Sequence, residues 1–246
     1  STSRGLGDVY KRQILNILII LGVTALITNV AIQKTTFKYE IPYMLLITAV
    51  LLVMGMTGNE ITFIEGVILW ILFIAYLLYL YILAKKGNDS SDEQSVKLYP
   101  VWKCLLFIVL GGVCVVIGSQ FVVNGATTIA RACGMSERFI GLTIVAFGTS
   151  LPELVTSVSA ARKGNAGIAI GNIVGSNIFN ILFVVGTVAL ICPVPFESRF
   201  VIDTVVAILC GVLLWGGTIR HKELRKPCGV VMLLCYAAYF VYLAAM

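Results

Sequence analysis

Charged and chemically reactive side chains are scarce in this sequence. Only 12% of its 246 residues are charged, while 59% are hydrophobic. Histidine occurs once, as His221, and the seven cysteines are odd in number and form no CxxC pair. This composition argues against a soluble domain, a disulfide framework, a zinc site and any chemistry that depends on histidine. The net charge of +6 does not predict nucleic-acid binding, because the cations lie in short loops without a basic stripe.

Long apolar runs make up most of the chain. Each run is near the ~20 residues that a helix needs to cross a bilayer, so the sequence predicts an all-α integral membrane protein with about eight transmembrane helices. A longer fourth helix, continuing through Asn124–Ala132, is compatible with the pattern. The predicted spans are Ile14–Ile32, Ile41–Met56, Ile61–Ala84, Trp102–Val123, Phe139–Arg162, Ala166–Cys192, Phe200–Ile219 and Cys228–Ala245.

The loop cations predict how the chain lies in the membrane. Leaving aside the three cations of residues 1–13, one side of this topology carries twelve lysines and arginines, and the other carries Arg131, Arg138 and Arg199. Cytoplasmic loops are enriched in Lys and Arg. We therefore predict a multi-pass protein of the plasma or inner membrane, with the polar linker 85–100 in the cytoplasm and the C-terminus outside.

The first thirteen residues, STSRGLGDVYKRQ, are polar and differ from everything that follows. They lack the apolar core of a signal peptide. We therefore predict that residues 1–13 are a non-native leader outside the fold.

Two of the predicted spans are interrupted by polar residues. The first interruption reads GTSLPE, and its Pro152 has no N–H to donate to the carbonyl of Gly148. A freed carbonyl in lipid is costly unless it lines a polar cavity or meets a ligand. Thr149, Ser150 and Glu153 stand beside it. An acidic residue at mid-membrane costs roughly 3 kcal/mol on insertion scales, so it usually marks an ion or proton path.

The second interruption reads GNIVGSN and is followed by Asn180. Ser176 and Asn177 precede Asn180 by four and three residues, so all three can share one helical face. A carboxylate with hydroxyl, amide and carbonyl oxygens suits a hard cation such as calcium or sodium. The sequence therefore predicts a cation site built from two broken helices.

A simpler interpretation of the same residues is structural. GTSLPE would then be a proline kink, and Gly171 and Gly175 would form a small-residue packing seam between helices. Packing accounts for the glycines but not for Glu153, so the cation site is the preferred hypothesis.

An internal repeat relates the two ends of the chain. Residues 14–27 match residues 178–191 at eight of fourteen positions, including Asn16 with Asn180. A nearly constant offset then pairs the first three spans with the sixth, seventh and eighth. Five spans separate the members of each pair, so the two copies should run in opposite directions through the membrane.

The repeat divides the chain into three parts. We expect an incomplete first copy of three helices at 14–84, the linker 85–100 and a complete second copy of five helices at 101–246. The second copy has two spans before its matching portion, where the first copy has only the leader. We therefore expect the complete protein to carry two further spans and another Pro-Glu break before Ile14.

These motifs resemble the sodium/calcium exchanger family of the cation/calcium antiporter superfamily. GLTIVAFGTSLPELVTS followed by GNIVGSNIFNILFVVG looks like that family's second α-repeat, and NILIILGVTALI looks like the tail of its first. The resemblance covers essentially everything from Ile14 onward. It implies a ten-helix fold of two inverted five-helix halves that moves calcium against sodium by alternating access. This chain is then expected to be an N-terminally truncated member.

The resemblance also implies roles for individual residues. Glu153 would be the central carboxylate shared by calcium and sodium, and the other ligands would be Ala146 (through its backbone), Thr149, Ser150, Ser176, Asn177, Asn180 and Asn16. Two features depart from the family pattern. The first-repeat glutamate that would face Glu153 is absent, and position 180 is Asn where several relatives carry Asp. Sodium against proton coupling, potassium dependence and stoichiometry therefore stay open.

The predicted function is that of a membrane cation antiporter, with calcium and sodium as transported ions and no cofactor. A proton-coupled calcium exchanger, a channel-like protein and a non-transporting membrane protein remain alternatives. An enzyme is not expected, because Asp203 is the only aspartate within an apolar span and no nucleophile–base pair accompanies it.

Overall fold

Helices make up most of the protein. A computed structural model describes residues 2–87, 100–135, 140, 143–144 and 146–245. Within these residues, seven helical stretches are long and apolar enough to cross a membrane. This confirms the predicted all-α, multi-pass membrane fold. The α-helices are α1 Thr2–Leu15, α2 Gly22–Ile27, α3 Ile41–Gly58, α4 Phe63–Gly87, α5 Val101–Ala132, α6 Ala146–Gly148, α7 Leu151–Arg162, α8 Ala166–Phe179, α9 Gly186–Ile191, α10 Arg199–Ile219 and α11 Lys226–Ala245.

Wider, π-helical turns join several of these helices. Asn16–Leu21 connects α1 to α2, Thr36–Glu40 leads into α3, and Asn180–Val185 connects α8 to α9. Two of the membrane-crossing stretches are therefore continuous helices with a π-helical middle. The sixth predicted span is one of these two, so it is not broken at GNIVGSN as we had expected.

The fifth predicted span, Phe139–Arg162, is not among the seven membrane-crossing stretches. In its described part, α6 ends at Gly148, a turn follows, and α7 begins at Leu151. Residues 139, 141–142 and 145 lie outside the described ranges. The longer fourth helix is confirmed, because α5 runs without interruption to Ala132.

The first helix begins earlier than the sequence suggested. We expected residues 1–13 to lie outside the fold, but Leu6 and Tyr10 are fully buried and α1 packs along α10. Leu6, Val9 and Tyr10 follow each other at helical spacing, so they form one buried helical face in a segment that is mostly polar. That residues 1–13 are a non-native leader stays a prediction.

The core lies between two membrane-crossing stretches, Leu6–Ile27 and Gly167–Ile191, each of which has a π-helical segment in its middle. Ile17 and Leu21 from one helix, and Ile178 and Ile181 from the other, have no or almost no exposed surface. The peripheral helices α4, α5 and α11 instead expose many large apolar side chains outward. Such a surface is the one that a membrane-spanning bundle presents to lipid.

Helices that the predicted repeat relates make corresponding contacts. Helix α2 packs on α11, and its repeat equivalent α9 packs on α4. Two short antiparallel sheets follow the same rule. Strand β1 (Val30–Ala31) pairs with β4 (Glu223–Leu224), and β2 (Glu60–Ile61) pairs with β3 (Val194–Pro195). Each contact therefore joins one copy of the repeat to the other.

Glycine allows the closest of these helix contacts. A Cβ atom at Gly229 would lie 2.8 Å from the carbonyl oxygen of Gly22, and one at Gly66 would lie 3.1 Å from the carbonyl oxygen of Gly186. Gly22 and Gly66 are the repeat equivalents of Gly186 and Gly229. The two copies are thus held together by a duplicated seam in which backbones meet directly.

This seam predicts the effect of one added methyl group. Gly229→Ala should destabilise the protein by about 1–3 kcal/mol, because the new Cβ would collide with backbone that cannot turn aside. The control is Gly216→Ala. Gly216 is exposed and lies within α10, nothing is within 4 Å of its Cβ position, and alanine favours the helix. Thermal unfolding in detergent measures both variants. Equal stability of the two would contradict the close seam.

Candidate cation site

A break between two helices places the first group of predicted site residues. Helix α6 ends at Gly148, and Thr149 and Ser150 form a turn before α7. Pro152 occupies the first turn of α7, where its missing N–H costs nothing. The proline therefore starts a new helix here, and a simple kink in one continuous helix does not describe the segment.

The side chains at the start of α7 do not cap their own helix. Ser150 and Glu153 have the spacing of a capping box, in which serine and glutamate satisfy the free N–H groups of a helix start. Ser150 makes no such hydrogen bond. Its Oγ is buried and has no partner among the described residues. A buried hydroxyl without a partner is costly, so this oxygen is suited to a ligand.

Glu153 is contacted from the neighbouring helix. The hydroxyl of Ser176 in α8 donates a hydrogen bond of 3.1 Å to Oε1 of Glu153, and both residues are half-buried. The ion pair found among the described residues, Arg225 with Glu223, lies elsewhere. The carboxylate of Glu153 therefore has a neutral hydrogen-bond donor, and no lysine or arginine, as its partner among the described residues.

A second polar contact joins the two central helices. Asn16 donates from Nδ2 to Oδ1 of Asn177 over 3.2 Å, and both side chains are buried. The Nδ2 of Asn177 also lies 3.7 Å from the sulfur of Met44. The Oδ1 atom of Asn16 is buried without a partner in the described part of the chain. It is a second buried oxygen suited to a ligand.

The two repeat-related asparagines begin the π-helical segments. Asn16 opens Asn16–Leu21 and Asn180 opens Asn180–Val185, and both side chains are buried. Short π-helical stretches within α-helices are rare and are frequent at functional sites. The repeat therefore positions one polar side chain of each copy in the same local geometry.

A cleft of about 550 Å³ opens between α7 and α8. Gly171 and Gly175 lie on its wall, and a Cβ atom at either position would meet nothing within 4 Å. These glycines therefore do not form a packing seam within the described structure, and they widen the cleft instead. The lining residues are Thr149, Pro152, Glu153, Thr156, Gly171, Asn172, Gly175, Ser176 and Phe179.

Two polar residues of the cleft were not among the predicted ligands. Asn172 donates from Nδ2 to Oγ1 of Thr156 over 3.0 Å and to Oγ of Ser157 over 3.3 Å. Thr156 in turn donates to the carbonyl oxygens of Pro152 and Glu153. This network ties α8 to the first turn of α7. Two features of the sequence hint at this network: Asn172 lies inside GNIVGSN, and Thr156 follows Glu153 by three residues.

The predicted site residues fall into two groups. Glu153, Thr149 and Ser176 face the cleft, while Asn16 and Asn177 meet in the buried contact between the central helices. Ser150 and Asn180 are buried, and Ala146 is described as the first residue of α6.

The polar groups that line the cleft with Glu153 are hydroxyl and amide groups. Within the described residues, no three His, Cys, Asp or Glu side chains come together to hold a metal ion. Carboxylate, hydroxyl and amide oxygens are preferred by hard cations.

Comparison with known proteins gives one consistent family. Residues 4–82 and 103–245 match the family described as Sodium/calcium exchanger protein. The chain is 31% identical to the inner membrane protein YrbG of Escherichia coli (strain K12), over 92% of this chain and 72% of that protein. It is 38% identical to the sodium/calcium exchanger MaX1 of Methanosarcina acetivorans, over 57% of this chain and 41% of that protein.

The fold is also found among solved structures. The sodium-calcium exchanger NCX_Mj superposes with a TM-score of 0.79 at 30% sequence identity, and the match covers 98% of this chain and 77% of that one. The match confirms the predicted exchanger fold. From the matched residues, the shared fold and the repeat, we conclude that this chain belongs to the sodium/calcium exchanger family.

Proposed function

We propose that this protein exchanges calcium for sodium across a membrane and that both cations bind around Glu153. The observation that carries the proposal is the contact between Glu153 and Ser176 at a helix break inside an exchanger fold. A half-buried carboxylate whose partner is a neutral hydroxyl can accept a cation without first losing a competing lysine or arginine.

The ligands would come from both groups of site residues. Glu153 supplies the negative charge, and the buried Oγ of Ser150 and Oδ1 of Asn16 supply oxygens that have no partner in the described chain. Ser176 can rotate its hydroxyl, so that it donates to Glu153 when the site is empty and turns a lone pair toward a bound cation. The remaining proposed ligands are Ala146 (backbone), Thr149, Asn177 and Asn180.

Alternating access follows from the charge of the site. Without a cation, the ionised carboxylate is expensive to enclose, and a bound calcium or sodium ion removes that cost. The loaded protein can then pass between inward-open and outward-open states, while the empty protein cannot. Because both cations need the same oxygens, they compete, and their competition couples their movements.

Glu153→Gln should reduce sodium-gradient-driven calcium uptake to background in reconstituted vesicles. Glutamine keeps the size of the side chain but removes its charge, so a divalent ion loses its principal partner. Glu60→Gln is the control, because Glu60 is exposed on strand β2, away from the cleft. Unchanged uptake by Glu153→Gln, measured with radioactive calcium, would refute the site.

The same vesicles separate the two kinds of coupling. A sodium-coupled exchanger takes up calcium when a sodium gradient is imposed, whereas a proton-coupled exchanger responds to a pH gradient alone. Conductance without any counter-ion would instead indicate a channel. We expect uptake with the sodium gradient, in keeping with the family to which the chain belongs.

Asn180→Asp should strengthen calcium binding by on the order of tenfold, because the number of ligand charges sets calcium affinity over several orders of magnitude. The readout is the rise in melting temperature with calcium concentration, since a ligand that binds only the folded state stabilises it. Asn165→Asp, at the exposed start of α8, adds the same charge outside the site and should leave the calcium response unchanged. An equal response of the two variants would place Asn180 outside the site.

The orientation in the membrane is also a proposal. We propose that the basic connections and the 85–100 linker lie in the cytoplasm and that the C-terminus lies outside, as the cation bias favours. Alkaline phosphatase fused after the C-terminus should then be active, because this enzyme folds only outside the cytoplasm. If a green fluorescent protein fused at the same point were fluorescent instead, the C-terminus would lie in the cytoplasm, and the proposed orientation would be wrong.

A further inference from the structure

The two repeat-related sheets carry opposite charge. The segments around β2 and β3, at 58–65 and 192–199, contain Glu60, Glu65 and Glu197 with Arg199 as the single cation. The segments around β1 and β4 contain mostly cations, and the connection between α7 and α8 adds two more. The eight cations of this face are Lys34, Lys38, Arg162, Lys163, Arg220, Lys222, Arg225 and Lys226.

The fold gathers these cations at one place. The N–H of Ile32 donates to the carbonyl of Lys222 over 2.9 Å, which extends the β1–β4 pairing. Gly167, at the start of α8, lies beside Ala31 and Gln33. Three connections from different parts of the sequence therefore meet, and the eight cationic side chains that they carry are all exposed.

Lys222 is held in an unusual conformation at the centre of this surface. Its φ of 55° lies in the left-handed region of backbone conformation, which residues other than Gly, Asn and Asp seldom adopt. The repeat equivalent of Lys222 is Asn59, also with φ 55°, for which this conformation costs little. The Nζ of Lys222 lies 3.3 Å from the ring centroid of Phe37, and Phe37 packs against Trp215. The strained lysine is thus held over an aromatic pair.

Exposed apolar side chains lie in the helices that lead into and out of these connections. Leu26 and Ile27 at the end of α2, Ile219 at the end of α10 and Val230 in α11 are all exposed. A ligand that fits here has a negatively charged head and an apolar tail, because cations and aromatic rings lie at the helix ends and apolar surface lies next to them. The only carboxylates in these segments are Glu223, which pairs with Arg225, and the buried Glu40.

We propose that the surface formed by β1, β4 and the connection between α7 and α8 binds the headgroup of an anionic phospholipid. Lysine and arginine side chains donate charge-assisted hydrogen bonds to the phosphate, and clusters of such residues at a membrane surface attract anionic lipids. The acyl chains lie along the exposed apolar ends of α2 and α10. The sheet formed by β2 and β3 has the same backbone design but acidic side chains, so it does not bind this lipid.

Binding to this surface does not depend on calcium or sodium exchange. Loss of transport in the Glu153 variant would leave lipid binding unchanged, and loss of lipid binding would leave the cation site intact. The two proposals therefore fail separately.

Native mass spectrometry of the purified protein in neutral detergent tests the proposal. The probes are phosphatidylglycerol and phosphatidylcholine with identical acyl chains. We expect the protein to retain phosphatidylglycerol in preference to phosphatidylcholine. Replacing two cations of the surface, in the double variant Lys34→Gln and Lys222→Gln, should weaken phosphatidylglycerol binding by about thirtyfold. Lys222→Arg should preserve it.

The control removes equal charge elsewhere. The double variant Lys85→Gln and Lys103→Gln removes two cations at the ends of α4 and α5. These lie on the same predicted side of the membrane as the proposed surface but outside it, so lipid retention should be unchanged. An equal loss in both double variants would mean diffuse attraction and would overturn the proposal. Equal retention of the two lipids by the native protein, or displacement of phosphatidylglycerol by millimolar inorganic phosphate, would also overturn it. The double variant Arg220→Gln and Arg225→Gln repeats the test without altering the strained lysine.

Discussion

A half-buried carboxylate within a bundle of membrane-spanning helices is the constraint on which this structure depends. Glu153 cannot be surrounded by apolar side chains, so the chain breaks a helix beside it and brings Ser176 to it from the next helix. The break leaves the start of α7 without its own side-chain cap, and the glycines of α8 keep the facing wall open. Each of these features would be a defect in an ordinary helix pair. Together they make a cleft in which, among the described residues, the carboxylate of Glu153 has a neutral hydroxyl as its partner.

The rest of the fold holds that cleft in place through contacts between the two copies of the repeat. The central helices meet at Asn16 and Asn177, the glycine seams join α2 to α11 and α9 to α4, and each short sheet takes one strand from each copy. These contacts all join residues before the 85–100 linker to residues after it.

Much of the fold could be predicted from the sequence because membrane helices need long apolar runs, and these are visible without a structure. The repeat was visible for the same reason, since Asn16 and Asn180 interrupt matching apolar runs. The break before Pro152 followed from the chemistry of proline. Whether the helix breaks at GNIVGSN could not be predicted, because this sequence is compatible with a break and with a continuous helix. The π-helical segment that begins at Asn180 depends on packing against other helices. The roles of Thr156 and Asn172 were also hidden, since their hydrogen bonds depend on how α7 and α8 approach each other.

The strand pairing has a consequence for how the chain can be cut. Each ladder takes one strand from either side of the 85–100 linker, so the covalent connection is not what keeps the halves together. Proteolysis within that linker should yield two fragments that remain associated. Each fragment made alone would carry unpaired strand edges and would expose its half of the glycine seam. In the described structure, each part supplies the strand that completes a sheet begun by the other.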